Sequence, residues 1–214
     1  ASNTCGASIA ATVTVSVLPS GPAIPNEIFG NISICPGVES YSVSNVLNAT
    51  SYVWSISGSV PISSGQGTNT ISINWTVPGN YTVSVTAINS CDSSAVQTIN
   101  VTVNPIPSNP LITVSSNSIC EGESVTITAS NSFGETVNYN FYDTATGGNN
   151  LGANPLTVSP ANTTTYYLEV VNEFNCRNGN TRIPTTITVN KAPSDPIVDA
   201  ENLSVCFGKS TTLS

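Results

Sequence analysis

Short runs in which apolar and polar residues alternate recur along the chain, and glycine, proline, asparagine and serine separate them. Val, Ile, Thr and Tyr fill the runs, and a period of two places one set of side chains on a core face and the next on a solvent face. The pattern predicts strands over 39–46, 51–57, 70–75, 79–88 and 96–104. A second set follows over 111–116, 124–130, 137–143, 155–158, 165–171 and 184–190. No stretch carries helical periodicity. About seven short strands in some 86 residues is the size of an immunoglobulin-like sandwich, so the expected fold class is all-β.

A long period overlies the short one. Cys35, Cys120 and Cys206 open similar elements (CPGVES, CEGES and CFGKS), spaced 85 and 86 residues apart. Cys5, Cys91 and Cys176 form an interleaved series, each 14 to 17 residues before a proline-bearing junction. Pro19 to Pro105, Pro107 to Pro193 and Pro110 to Pro196 are all 86 apart. One structural unit repeated along a thread accounts for this beat. The expected organisation is the end of a preceding sandwich over 1–18, complete sandwiches over 19–104 and 105–191, and the start of another over 192–214. The first segment is read as a last strand, TVTVSVLP, and the whole as a window cut from a longer polymer of domains. The linkers LPSGPAIP, NPIPSNP and KAPSDP are short and proline-rich, hence semi-rigid spacers, and the units are expected to stand end to end.

Composition narrows the function. Only 7% of residues are charged, and 12 acids against 4 bases give a net charge of −8 without runs of either sign. Without a basic patch, nucleic acid and anionic membranes are poor partners. No apolar stretch approaches the roughly 18–20 residues of a membrane helix. The absence of histidine excludes Ser–His–acid and Cys–His catalysis, and carboxylates do not cluster. An enzyme is not expected, nor is a cofactor. Six regularly placed cysteines without Cys-x-x-Cys pairs point to disulfides in an oxidising compartment rather than to zinc.

The segments SYVWSISGS and INWTVPGNYTVSVTAINSC resemble a PKD-like domain, with Tyr52 and Trp54 on an aromatic strand and a Pro-Gly-x-Tyr-x-Val turn into the next. YNFYDTATGGNNLGANPLTVSPANTTTYYLEVVNEFNC resembles the immunoglobulin-like (CHU_C-associated) domains of very large Bacteroidota surface proteins. The second unit has Phe141 and Tyr142 where the first has Trp54. The resemblance implies an extracellular protein of the kind exported by type IX secretion, some of which are gliding or attachment adhesins.

In that topology Cys35 and Cys120 lie between the first two strands, at one pole of a sandwich, and Cys91 and Cys176 lie at the opposite pole. Strands of six to eight residues separate the poles by roughly 20–25 Å, whereas a disulfide needs Cα atoms within about 7 Å. A bond between consecutive units, Cys35–Cys176, is therefore expected. Cys91 would then pair upstream and Cys120 downstream, with Cys5 and Cys206 also paired outside the chain. Pairing within each unit, Cys35–Cys91 and Cys120–Cys176, is the alternative.

Other motifs have a functional and a bland reading. Trp54, Tyr52, Tyr81, Tyr166 and Tyr167 sit at alternating strand positions and are expected in the core rather than as ligand-stacking rings. Of Asn74 and Trp75, one must face outward. Gly208-Lys209-Ser210 imitates a phosphate-binding loop, but Leu203 stands where that motif needs glycine. Asp195, Asp199 and Glu201 are a calcium candidate, read more simply as solvated charge. Asp143-Thr144-Ala145 resembles the O-glycosylation signal of Bacteroidota, making Thr144 the acceptor.

The leading expectation is a non-enzymatic segment of an extracellular fibre or stalk that extends a surface adhesin. Its partners would be neighbouring repeats, identical chains in a fibre, and glycans or cells reached by a distal tip. The alternative is a carbohydrate-binding module of a secreted polysaccharide-degrading enzyme, which would need coplanar exposed aromatics on one sheet face.

Overall fold

The computed structural model describes residues 2–7, 12–15, 20–131, 134–179, 181–195, 197, 204 and 206–210. The chain is all-β: among the described residues the sole helical element is a single 3-10 turn at Ser57–Ser59. Two compact units emerge, one of Ala1–Pro107 with Asn172–Arg177, the other of Ser108–Val171 with Asn178–Ser214. A small antiparallel ribbon, β1 (Ser2–Asn3) with β2 (Gly6–Ala7), stands at the start.

The first unit holds β3 (Ile28–Phe29), β4 (Ser33–Ile34), β5 (Gly37–Val43), β6 (Ser51–Ile56), β7 (Ile62–Ser64), β8 (Thr70–Trp75), β9 (Gly79–Ile88) and β10 (Gln97–Val103). They form two four-stranded sheets, β4-β10-β9-β6 and β3-β5-β8-β7. The alternation read from the sequence becomes the core. Ile71, Ile73 and Trp75 of β8 point inward, and so do Val83, Val85 and Ala87 of β9, with Tyr41, Val43, Tyr52, Trp54, Val101 and Val103 from their neighbours. The intervening residues face solvent, so Asn74 is exposed where Trp75 is buried.

The second unit holds β11 (Leu111–Val114), β12 (Ser118–Cys120), β13 (Val125–Ser130), β14 (Val137–Tyr142), β15 (Asn150–Ala153), β16 (Leu156–Val158), the body of β17 (Thr164–Asn172) and β18 (Ile183–Asn190). Its sheets are β11-β13-β16 and β12-β18-β17-β14-β15. Val125, Ile127, Ala129, Phe141, Leu156, Tyr166, Leu168, Val170 and Ile187 build its core. Phe141, fully buried, fills the interior from β14 as Trp54 does from β6.

Both units contain a two- or three-residue strand that runs parallel to the last long strand. Ser33 and Ile34 pair with Thr102 and Val103, and Ser118, Ile119 and Cys120 pair with Thr188, Val189 and Asn190. Cys35 directly follows the first of these strands and Cys120 ends the second. The strands β3, β4, β7, β12 and β15, of two to four residues, escape the alternation pattern because so few positions carry no readable period.

Residues 12–15 of the TVTVSVLP run carry no strand, and 16–19 lie outside the described residues. Alternation makes a strand only where a neighbour satisfies its backbone groups, and Thr12–Val15 has none among the described residues.

Candidate functional site

Two loops present the second cysteine series, and both are built around an asparagine at the end of a long strand. Asn89, just beyond β9, accepts on its side-chain oxygen the backbone amides of Cys91 (2.8 Å) and Asp92 (3.0 Å). Asn172, the last residue of β17, accepts those of Phe174 (3.1 Å) and Cys176 (2.9 Å). The backbone closes each loop as well, Asn89 N to Asp92 O and Asn172 N to Cys176 O, both at 3.0 Å. Each side-chain amide then reaches a distant carbonyl: Asn89 donates to Ser20 O (2.9 Å) and Asn172 to Pro105 O (2.8 Å). Short polar side chains that bond nearby backbone are the natural choice for such turns.

The first series is equally anchored. Asn104, buried just past β10, donates its side-chain amide to Ser33 Oγ (3.0 Å) and Ile34 O (3.1 Å), and its backbone N–H to Ile34 O (2.7 Å). Asn190 at the end of β18 donates to Ser118 Oγ (2.8 Å), and Glu121 N bonds Asn190 O (3.1 Å). The Cys120 amide is further held by the Glu123 carboxylate at 2.8 Å.

Cys35 and Cys176 form a disulfide with Cα atoms 5.5 Å apart, and Cys176 is 0% exposed. The alternative pairings Cys35–Cys91 and Cys120–Cys176 are thereby excluded, since both of their bonded partners are already taken by each other. Cys91 and Cys120 are exposed thiols. Cys5 and Cys206 are also exposed.

Trp54 (2% exposed) and Trp75 (1%) are buried, as are Tyr52 and Tyr166, while Tyr81 and Tyr167 are half-buried. Trp54 Nε1 donates to Thr68 O at 2.8 Å. Tyr81 packs tilted on Trp75 at 4.9 Å between ring centroids and donates its hydroxyl to Val77 O. Beside them lies a cleft of about 510 Å³, lined by Val60, Pro61, Ser63, Asn74, Val77 and Tyr81 among others. It offers no pair of coplanar exposed rings.

In the second unit, Arg182 makes the most connected polar contact. Its guanidinium carbon lies 3.2 Å from the Tyr142 ring centroid, and Nη1 donates to Thr144 O (2.9 Å) and Gly147 O (2.6 Å). Nε stands 3.7 Å from the buried Glu169 carboxylate, which accepts from the Tyr142 hydroxyl at 3.3 Å. Asp143 grips Asn149 through its backbone N–H and side-chain amide, both at 2.8 Å. Those bonds hold the Asp143 carboxyl below the usual range. The exposed Thr144 thus sits in a loop fixed at both ends, its hydroxyl donating to Thr146 O at 3.0 Å.

Asp195 is exposed, whereas Asp199 and Glu201 lie outside the described residues. Among the described residues no group of three His, Cys, Asp or Glu gathers as metal ligands. Lys209 N closes a turn onto Cys206 O. Among the described residues no helix is long and apolar enough to cross a membrane.

The asparagine clamps and the Arg182 network have no counterpart in the sequence reading. Asn89 and Asn172 stand 83 residues apart, off the cysteine beat, because the second loop is two residues longer between its asparagine and its cysteine.

Residues 21–101 match the family described as PKD-like domain, and residues 107–190 match that described as Ig-like domain, CHU_C associated. Among solved structures, fibronectin(III)-like modules of CbhA from Clostridium thermocellum align at 16% identity and a TM-score of 0.39, covering 77% of this chain and 95% of that one. Murine CEACAM1b aligns at 16% identity and 0.33, covering 78% and 100%. A mouse coronavirus receptor-binding domain complexed with its murine receptor gives 14%, 0.38, 77% and 100%. Likeness at this level carries no functional meaning. The comparison with curated proteins found no match. Neither matched family is an enzyme family, and domains of both kinds are typically non-catalytic structural or adhesion-type modules. The chain thus carries two family matches in tandem, a PKD-like domain over 21–101 followed by an Ig-like, CHU_C-associated domain over 107–190.

Proposed function

We propose that the chain is a structural segment of an extracellular fibre or stalk of a bacterial surface adhesin, in which successive sandwiches are joined by proline-rich linkers and covalent crosslinks. The observation that carries this reading is the Cys35–Cys176 bond, which ties a residue of the PKD-like segment to one of the Ig-like segment, 141 positions apart. A bond that spans a linker restricts bending and survives tension that would pull apart noncovalent contacts. It also fits an oxidising, extracellular setting. Sparse charge leaves a surface of hydroxyls and amides, suited to a glycan coat or to lateral association with identical chains. On this reading Thr144 is a glycan acceptor on its fixed loop, and cells or surface glycans are met by a distal tip. Export by type IX secretion fits the same picture. The carbohydrate-module reading is the weaker one, because Trp54, Trp75, Tyr52 and Tyr166, the rings it would draw on from the strands, are inside the cores.

Electron microscopy of native material tests the proposal. It expects fibres with a domain step of about 40 Å, taken as ten extended residues plus a joint. Domains strung as freely hinged beads, or absence of the chain from the cell surface under protease shaving, would overturn it.

A further inference from the structure

A sheet edge with free backbone groups is a template for a foreign strand, and proteins blunt such edges with short strands, charges, prolines or bulges. The two sheets of the first unit end on β4 and β6, and on β3 and β7. Three of these strands are two or three residues long, and β7 also shifts register against β8. β6 is the exception. It runs over Ser51–Ile56, and its sequence SYVWSI holds no charge, proline or glycine, the composition of a self-pairing segment. The flanking chain supplies no charge either, because residues 40–91 include no Asp, Glu, Lys or Arg.

The turn between β7 and β8 closes this edge. Alternate residues of an edge strand turn their backbone groups outward, and on β6 Tyr52 and Trp54 do so. Tyr52 N donates to Gly67 O (3.2 Å), and Tyr52 O accepts from Gly67 N (3.1 Å). At Trp54 the partner is a side chain. The Trp54 N–H donates to Gln66 Oε1 at 3.1 Å, and the Trp54 carbonyl accepts from Gln66 Nε2 at 2.9 Å. One amide thus satisfies both backbone groups of one residue, as a neighbouring strand would. The turn is built for this. Gly65 and Gly67 flank Gln66 at φ 90° and 94°, and a Cβ on Gly65 would collide with Thr70 O. Thr68 N and Oγ1 both donate to Gly65 O, and Trp54 Nε1 donates to Thr68 O. In the second unit a strand covers the matching edge, β15 on β14. That unit uses the amide device elsewhere: Asn154 accepts from Ala129 N (2.7 Å) and donates to Ala129 O (2.8 Å), beside Pro155, which has no N–H to offer.

We propose that Gln66 is an edge guard, whose amide keeps β6 from pairing antiparallel with the β6 of a second copy. An identical strand is the partner to exclude, since two uncharged copies of SYVWSI meet without repulsion and match in length. The guard does not depend on the fibre reading. It decides which surfaces of the first unit can associate, leaving the sheet faces available and the long edge closed.

The test compares the 214-residue chain, with its exposed thiols alkylated and the Cys35–Cys176 bond intact, with Gln66→Ala, Gln66→Met and Gln66→Glu at neutral pH. Gln66 is exposed and outside the core, and near-ultraviolet dichroism of the two buried tryptophans certifies folding. Alanine and methionine remove both bonds, and methionine keeps the length of the side chain. Glutamate accepts from Trp54 N but cannot donate to Trp54 O, and it brings a charge to the edge. Sedimentation velocity over a concentration series should find the parent and Gln66→Glu monomeric. The alanine and methionine variants should dimerise about tenfold more tightly than the parent, through the backbone groups set free. Hydrogen exchange at the Trp54 amide should quicken in these two variants when dilute and slow again as they associate. Folded alanine and methionine variants that stay monomeric would overturn the proposal, as would an unchanged Trp54 amide in both. Dimers of Gln66→Glu, or dimers whose protection lies away from β6, would do the same. Loss of the fold in both variants would assign the amide to the core rather than to the edge, and the guard would fall.

Discussion

The guanidinium of Arg182 sits over the ring of Tyr142, with its carbon 3.2 Å from the ring centroid. The same group spends two N–H contacts on Thr144 O and Gly147 O, so one side chain just before β18 pins the loop between β14 and β15. Arginine suits this place because its planar fork can stack and donate at once, which a lysine ammonium cannot. Arg182→Lys is expected to cost about 1–2 kcal/mol and Arg182→Ala about 1–3 kcal/mol, part of it from stranding the buried Glu169 carboxylate. Hydrogen exchange of the 144–148 amides should quicken in both variants while the amides of β13 stay protected. Unchanged exchange in Arg182→Ala would remove the loop-pinning role.

Tyr41 gives the fold an alkaline limit. Its ring is fully buried against the edge of Trp75, and its hydroxyl donates to Asn31 O at 2.9 Å. Burial is the main cause that pushes its pKa from 10.0 up to about 12, and Glu39 adds to it. The Trp75 indole N–H, which makes no hydrogen bond of good geometry, opposes the rise. Tyr139 and Tyr166 are also raised by burial. The unfolded phenol ionises near pH 10 and the native one does not until about pH 12. The unfolded state therefore binds fewer protons in that window, and stability falls as pH rises. Stability is whole below pH 10 and is expected to drop by about 2–3 kcal/mol by pH 12 through Tyr41. Denaturant unfolding at a series of pH values, with the exposed thiols alkylated, reads the slope. Tyr41→Phe should flatten it, at the expense of about 1 kcal/mol at neutral pH for the lost hydrogen bond. A slope identical in the variant and the parent would refute the assignment.

Asn104 is a buried polar residue whose contacts all go to one place. Three hydrogen bonds tie it to Ser33 and Ile34, holding β4 parallel to β10 and so setting the position from which Cys35 emerges. Asn104→Ala is expected to cost about 1–2 kcal/mol, because the Ile34 carbonyl and the Ser33 hydroxyl each lose the side-chain amide, while the backbone N–H bond to Ile34 O remains. Asn104→Asp should be worse, since the carboxylate faces the Ile34 carbonyl oxygen. Thermal unfolding measures both, and an aspartate variant as stable as the parent would show that the amide's donation is unimportant.

The sequence made the long strands legible because burial writes itself into a period of two. Ile71, Ile73 and Trp75, or Val83, Val85 and Ala87, alternate with polar neighbours, and that alternation is the core. The cysteine beat was legible for a related reason: equivalent positions in repeated units keep equal spacing. The very short strands β4 and β12 were not, since two or three residues paired by backbone alone leave no mark in side-chain type. The clamps were hidden differently. Asn172 finds Pro105 across 67 positions and Arg182 finds Thr144 across 38, contacts that exist once the sheets have formed. In a chain so rich in asparagine, the few that hold loops look like the many that face water.

The Cys35–Cys176 bond closes 141 residues of chain, so its main effect is on the unfolded ensemble. A crosslink over so long a loop is worth up to about 5 kcal/mol by chain entropy, and about 2–4 kcal/mol is typical in practice. Replacing both cysteines, Cys35→Ser with Cys176→Ser, is the cleaner experiment. A single change would leave an extra thiol to react with Cys91 or Cys120. The double variant is expected to keep both sandwich cores, because the residues of each core come from that unit's own strands and none is a bonded cysteine. It should melt about 5–10 °C lower than the oxidised parent, following the stability lost per residue of a two-domain chain. Reducing the parent should reproduce the same shift, since both treatments remove one constraint and nothing else. Calorimetry with and without reductant decides the matter. If the parent melts at the same temperature in both conditions while mass spectrometry confirms that the bond has opened, the crosslink is not a source of stability.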